Sequence, residues 1–240
     1  MLRVERLRVQ YRNGAVGVSD ISFSVGAGQV VALFGPNGAG KTTSVRAVSG
    51  FLKSEGTRVR GLVELDGTNV AGREPHVTSQ LGVGSVPERD KVFSSLTVAE
   101  NLHALGRLPP KRSRADAFDR VYQLFPMLAE RRRELAGRLS GGQQQMLALA
   151  RGLLLEPRLL IVDEMTLGLH VSVQEPLFAT VAEVARQGTA VLLVDESTAL
   201  ALDVADYCYL LRDGRTTVSG RSDMFRGTEI LAAGYVEAVE

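Results

Sequence analysis

The chain has 240 residues, enough to bury a sizeable core, and its length favours one large domain with room for an insertion over two independent ones. Its 28 Lys and Arg against 27 Asp and Glu leave a net charge of +1, so no basic field argues for nucleic acid and no acidic excess argues for a solvating tail. The single cysteine, Cys208 in YCYLL, reads as a buried structural thiol and fits a reducing compartment. The opening MLRVERLRVQ lacks a signal-peptide core, and no apolar stretch approaches the roughly 18 to 20 residues of a membrane span, so a membrane role is expected to be peripheral.

The first sixty-odd residues read as strands: LRVERLRVQY, ISFSV, VVALF and VELDG, the last closed by the turn pair Asp66-Gly67. VVALF runs into GPNGAGKTT, which has the pattern G-x-x-x-x-G-K-[ST] at Gly35, Gly40, Lys41 and Thr42 and is followed by the helical SVRAVSGFL. Glycines let the backbone aim its N–H groups at phosphate oxygens, and the helix N-terminus adds positive character. Lys41 then reaches the outer phosphates, and the Thr42 hydroxyl suits Mg²⁺.

From about Val92 to Leu155 the character is helical. The stretch has a capping box at Thr97 and Glu100, a run Arg131–Arg133 read as a solvated helical face, and QQQMLALARGLLL ending at Pro157. Within it LSGGQQQ, Leu139 to Gln145, reads either as a flexible cap or as an anion site at a helix start. LLIVDE and AVLLVDE return as strands around a helix from about Val173 to Gln187, the alternation of a parallel sheet with crossover helices. A hairpin around Asp213-Gly214 and a helical tail follow.

Acids at the carboxyl ends of such strands face the usual ligand side of the sheet. Asp163 is placed to hold Mg²⁺ through its water shell, and Glu164 to polarise a water against a γ-phosphate, as general base or by positioning. For Asp195 and Glu196 the residues alone leave four roles open: catalytic carboxylates, metal ligands, a helix N-cap or surface decoration. His76, His103 and His170 show no metal-ligand spacing and read as satisfied or surface histidines.

In the order P-loop, LSGGQ, LLIVDE, the sequence resembles the ATP-binding subunit of ABC transporters over nearly its whole length. The resemblance implies an α/β fold: a P-loop NTPase (RecA-like) core with an N-terminal antiparallel β subdomain and an inserted helical subdomain. All belong to a single ABC ATPase domain, with the core at about 1–90 and 156–225, the helical subdomain at about 91–155 and a tail at about 226–240. It implies ATP and Mg²⁺ as ligands. Tyr11 would stack on adenine, while Gly35, Pro36, Asn37, Gly38, Ala39, Gly40, Lys41, Thr42 and Thr43 hold the phosphates. Thr42, Glu88 and Asp163 would serve the metal, and Glu88 stands where most of the family has Gln. Ser140, Gly141, Gly142 and Gln143 would close over ATP bound to a second ABC ATPase subunit, packed head to tail and expected to be non-identical.

Two membrane permease subunits would complete the assembly at the cytoplasmic face of the cell membrane, with FSSLTVAENL forming part of the groove that receives a permease helix; a solute-binding protein would act indirectly and no nucleic acid is implied. The wording VPERDKVFSSLTVAENL, FPMLAERRRELAGRLSGGQQQMLALARGLLLEPRLLIVDE and TLGL is similar to the branched-chain amino acid branch. Alternatives are a soluble ABC-type ATPase, which would usually show tandem domains or a long coiled coil, and a nucleotide-dependent regulatory module. Two departures stand out. Met165 replaces the usual Pro, which predicts a looser turn at Glu164, and Glu196 replaces the switch His or Gln, which predicts slow hydrolysis.

Overall fold

The computed structural model describes residues 1–53, 56–88, 91–105, 109–195, 198–227 and 231. Strand β1 (Leu2–Gln10) pairs antiparallel with β2 (Val16–Val25) and with β4 (Arg58–Leu65), and β4 turns back into β5 (Thr68–Asn69). Asp66 and Gly67 both take positive φ, 47° and 79°, which is the two-residue turn whose twist matches that of the strands it joins. Alternation sends Leu2, Val4, Leu7, Val9, Val63 and Leu65 inward and leaves Arg8, Arg58 and Arg60 in solvent.

Fully buried five-residue strands β3 (Val30–Phe34), β7 (Leu159–Asp163) and β8 (Ala190–Val194) cannot alternate in this way; they are apolar on both faces, as a covered parallel sheet requires. With β6 (Val83–Val86) and β9 (Tyr207–Arg212) they form a parallel set in the order β9-β3-β8-β7-β6. Strand β10 (Arg215–Arg221) runs antiparallel to β9 and meets β2 at Arg215 and Asp20, which joins everything into one curled ten-stranded mixed sheet. The β9–β10 turn again uses two positive-φ residues, Asp213 and Gly214.

Helices α1 (Lys41–Ser49) and α2 (Pro75–Gln80) lie between β3 and β6, and α3 (Val98–His103), α4 (Arg114–Leu124), α5 (Pro126–Glu130) and α6 (Gly141–Leu153) between β6 and β7. Helix α7 (Val171–Arg186) links β7 to β8, and α8 (Thr198–Val204) links β8 to β9. One core lies between the antiparallel strands, α1 and one face of the parallel set. The other joins Leu102, Val121, Leu128, Leu147 and Leu149 of the helical stretch to Phe178 of α7 and Val162 of β7.

The capping box at Thr97 is present: its hydroxyl accepts from Glu100 N at 3.2 Å, and the Glu100 carboxylate accepts from Thr97 N at 2.7 Å. The Arg131–Arg133 run is exposed as expected but is a turn rather than a helical face, because the short helix begun by Pro126 ends at Glu130. The two-residue β5, α2 and β6 add elements that the sequence reading had not resolved. Apart from Arg226 and Gly227, which are in a turn, and Leu231, the expected helical tail lies outside the described residues. Among the described residues no helix is long and apolar enough to cross a membrane.

Leu192, wholly buried in β8 between β3 and β7, tests the packing of the parallel set. Leu192→Ala should lower the unfolding free energy by about 2–5 kcal/mol, read from the shift of the urea midpoint.

Candidate active site

Strand β3 ends on the buried Phe34, and the chain can then turn only because the next residue has no side chain. A Cβ at Gly35 (φ +144°) would lie 2.2 Å from the Leu211 carbonyl oxygen of β9. The loop crests at the exposed Asn37 and Gly38 and returns through Gly40, whose φ of +100° caps α1 and leaves that helix's first N–H groups facing the loop. Gly214 N donates to the Ala39 carbonyl at 3.2 Å, so the β9–β10 turn buttresses the loop. Lys41, 8% exposed, donates from Nζ to the Gly35 and Pro36 carbonyls at 2.6 and 3.0 Å, which extends the ammonium along the loop's inner rim. Half-buried Tyr11, just after β1, shares a 2.9 Å hydrogen bond between its hydroxyl and that of Thr43 on α1, beside the half-buried Thr42.

Asp163 closes β7 with a side chain only 5% exposed, and its buried Oδ1 has no hydrogen-bond partner among the described residues. Burial pushes its pKa up to about 7; Glu164 and Glu88 add to the rise, and Lys41 and Arg46 oppose it. The structure therefore brings together the Lys41 loop, Glu88 after β6, and the two acids of LLIVDE.

Glu164 adopts φ +50°, a left-handed conformation costly for a residue with a side chain, and its N–H donates to the Val194 carbonyl at 2.7 Å. Next to it Met165 is fully buried, and Thr166 donates from N to Asp195 Oδ2 at 3.1 Å and from Oγ1 to Asp195 Oδ1. The turn at Glu164 is thus pinned to β8 on both sides, contrary to the loosening predicted from the loss of proline. Of the four roles open to Asp195, the structure shows a different one: a buried latch, 2% exposed, that fixes the loop carrying Glu164. Glu196 lies outside the described residues.

Ser140 caps α6, accepting from Gln143 N at 3.4 Å while its own N–H donates to Gln143 Oε1 at 2.9 Å. Ser140 and Gly141 are exposed; Gly142 is buried, and a Cβ there would fall 2.2 Å from Val173 Cγ1 of α7. Gly141 and Gly142 approach Leu169 and Val173. His76 lies 3.3 Å from Glu74, His103 Nδ1 lies 2.8 Å from the Ala99 carbonyl oxygen, and the His170 ring caps α7. Among the described residues no three His, Cys, Asp or Glu side chains converge as a metal cage, so a cation here needs oxygens from elsewhere.

Sequence reasoning missed Lys91 and the latch role of Asp195. Each is defined by a distant partner, Gln145 54 residues from Lys91 and Thr166 29 residues from Asp195, and no local pattern announces either.

A buried parallel strand, a glycine loop opening a helix with Lys41 at its start, and an acid ending a nearby strand define a P-loop nucleotide-binding protein of the α/β class. The family profile described as ABC transporter matches residues 18–167, and the chain belongs to that family. It is 37% identical to the high-affinity branched-chain amino acid transport ATP-binding protein BraG of Pseudomonas aeruginosa, over 82% of each chain. It is 29% identical to the lipopolysaccharide export system ATP-binding protein LptB of Haemophilus influenzae, over 98% of this chain and 97% of that one. Its fold matches the ADP conformation of an ATP-binding cassette of an ABC transporter with a TM-score of 0.83 at 24% identity, over 97% of this chain and 94% of that one. ABC ATPase domains bind ATP or ADP, hydrolyse ATP and work with membrane permease partners.

The raised pKa of Asp163 has a definite sign. Between its ordinary 3.8 and about 7 the folded chain keeps a proton that the unfolded chain has released, so this group's stabilising contribution fades as pH rises through that window. Asp163→Asn should therefore melt higher than wild type at about pH 8, with the gain shrinking toward pH 4, in thermal scans with metal and nucleotide withheld.

Proposed function

We propose that the chain is the ATP-hydrolysing subunit of a membrane ABC transporter, with ATP held by residues 35–43 and Tyr11 against the adenine. The observation that carries this reading is the desolvated Asp163, with Glu164 beside it, within the field of the P-loop lysine. The buried Oδ1 of Asp163, without a partner among the described residues, is an acceptor that a hydrated cation would satisfy, so the donor set fits Mg²⁺, with Thr42, Glu88 and Asp163 as the residues that would hold it. Mg²⁺, when bound, neutralises charge developing on the phosphates. Glu164, fixed by the Val194 and Thr166 bonds, orients or deprotonates the attacking water.

The exposed Ser140 and Gly141, at a helix start, present a hydroxyl and backbone N–H groups to a γ-phosphate carried by a second, non-identical ABC ATPase subunit packed head to tail. A groove of about 450 Å³ lined by Phe51, Pro87, Lys91, Leu105 and Arg151, beside rather than within the FSSLTVAENL segment expected to form it, suits a helix from one of two permease subunits, which supports a peripheral position at the cytoplasmic face of the membrane. The likeness to BraG supports branched-chain amino acids as the cargo of an importer served by a solute-binding protein. The likeness to LptB favours export as the second reading. ATP-dependent uptake by the reconstituted complex, measured across a panel of amino acids, separates the two.

Glu164→Gln should cut phosphate release at least about 100-fold while ATP still binds, and Lys41→Ala should weaken ATP binding itself. Undiminished phosphate release by Glu164→Gln would overturn the assignment. For Glu196 the argument is one of charge. An ionised carboxylate about 4 Å from a phosphate charge costs roughly 4 kcal/mol at an effective dielectric near 20. Glu196→Gln should accordingly hydrolyse ATP faster than wild type in the assembled transporter, and an equal or slower rate counts against a braking role.

A further inference from the structure

Strands β6, β7 and β8 are parallel neighbours, so their carboxyl ends lie along one edge at the usual spacing of about 4.8 Å per strand. Glu88 follows β6, Asp163 and Glu164 end and follow β7, and Asp195 follows β8: four carboxylates on three adjacent strands. Such a row repels itself and needs positive charge nearby. Lys41 is extended along the P-loop carbonyls on the other side of β8, whereas Lys91 lies three residues beyond Glu88; burial lowers its pKa, and Glu88 most, then Asp195, Glu164 and Asp163, act against that by favouring the charged ammonium.

The half-buried Lys91 is also fastened to α6. Its Nζ donates to Gln145 Oε1 at 2.5 Å, Arg151 Nη1 donates to the Lys91 carbonyl at 2.7 Å, and the Arg151 guanidinium sits 4.7 Å over the Phe93 ring. Gln145 is 2% exposed and, among the described residues, its Nε2 has no partner and Lys91 supplies the one hydrogen bond to its side-chain amide. Ser140, at the head of the same helix, lies five residues before Gln145.

Resting on the ATPase reading above, we propose that Lys91 is a positioning residue: a built-in counter-ion for the carboxylate edge that, through Gln145, links the LSGGQ helix to the net charge on that edge. A triphosphate without metal draws the ammonium toward the edge. With a divalent cation held by the same acids, Lys91 would be drawn to the edge less strongly, so its bond to Gln145 would differ between the two conditions. Metal-free and metal-bound nucleotide are thereby reported differently to α6.

The test is equilibrium binding of N-methylanthraniloyl-ATP to the full chain, with excess EDTA and with excess Mg²⁺. Lys91→Gln removes the charge but keeps a donor for Gln145, Lys91→Arg keeps the charge, and Lys111→Gln changes an exposed lysine away from the site. In Lys91→Gln, metal-free affinity should fall more than Mg²⁺-supported affinity, which raises the ratio of the two dissociation constants about tenfold over wild type. Lys91→Arg and Lys111→Gln should keep the wild-type ratio. An unchanged or smaller ratio in Lys91→Gln, or an equal rise in Lys91→Arg, overturns the counter-ion role while leaving the ATPase reading intact. Failure of the wild-type chain to bind the nucleotide under either condition overturns both.

Discussion

Everything in the candidate site depends on the parallel register of β6, β7, β8 and β3, because parallel neighbours deliver their carboxyl ends to one edge. A loop built to attract anions and a row of acids that repel them then sit side by side by construction. The local answers to that conflict are visible residue by residue. Asp163 is desolvated and held nearer neutrality than an ordinary aspartate, Asp195 is consumed by Thr166, and Lys41 is led back along its own loop. None of these is a property of the residue type; each follows from where the strand ends.

The turn after β7 shows how the conflict is stabilised. Glu164 sits in a backbone conformation that L-residues avoid, and such strain persists only when the surroundings over-determine it. Here they do, through the Val194 carbonyl before the turn, the buried Met165 within it and the Asp195 carboxylate after it. A proline at position 165 would restrict the residue before it; methionine fixes the same turn from the inside, by burial. The departure from the family's wording is thus a change in how the turn is held.

How much was legible in the sequence divides along the range of the interactions. The strand VVALF with its glycine loop, the capping box at Thr97 and the turns at Asp66-Gly67 and Asp213-Gly214 are encoded within a few residues and stand where the sequence placed them. The strand β6 escaped because VGSV is short and carries glycine and serine, and its pairing with β7 decides its state. Arg131–Arg133 escaped because α5 is only five residues long, too short for periodicity to show its end. Asp195 and Lys91 were invisible for a stronger reason: the groups that define them are brought in by other elements. The role given to Glu196 falls at a position outside the described residues and stays an argument from charge.

Cys208 makes the chain convenient to label. It is the only cysteine in the chain, it is fully buried in β9 beside β3, and burial pushes its thiol up to about 12, so almost none of it is thiolate near neutral pH. The natural chain is therefore silent toward thiol reagents while folded. A single cysteine introduced at an exposed position such as Ser140 or Asn37 would be the one site such a reagent finds, and a fluorophore there could follow the meeting of two subunits without first stripping the protein of background thiols.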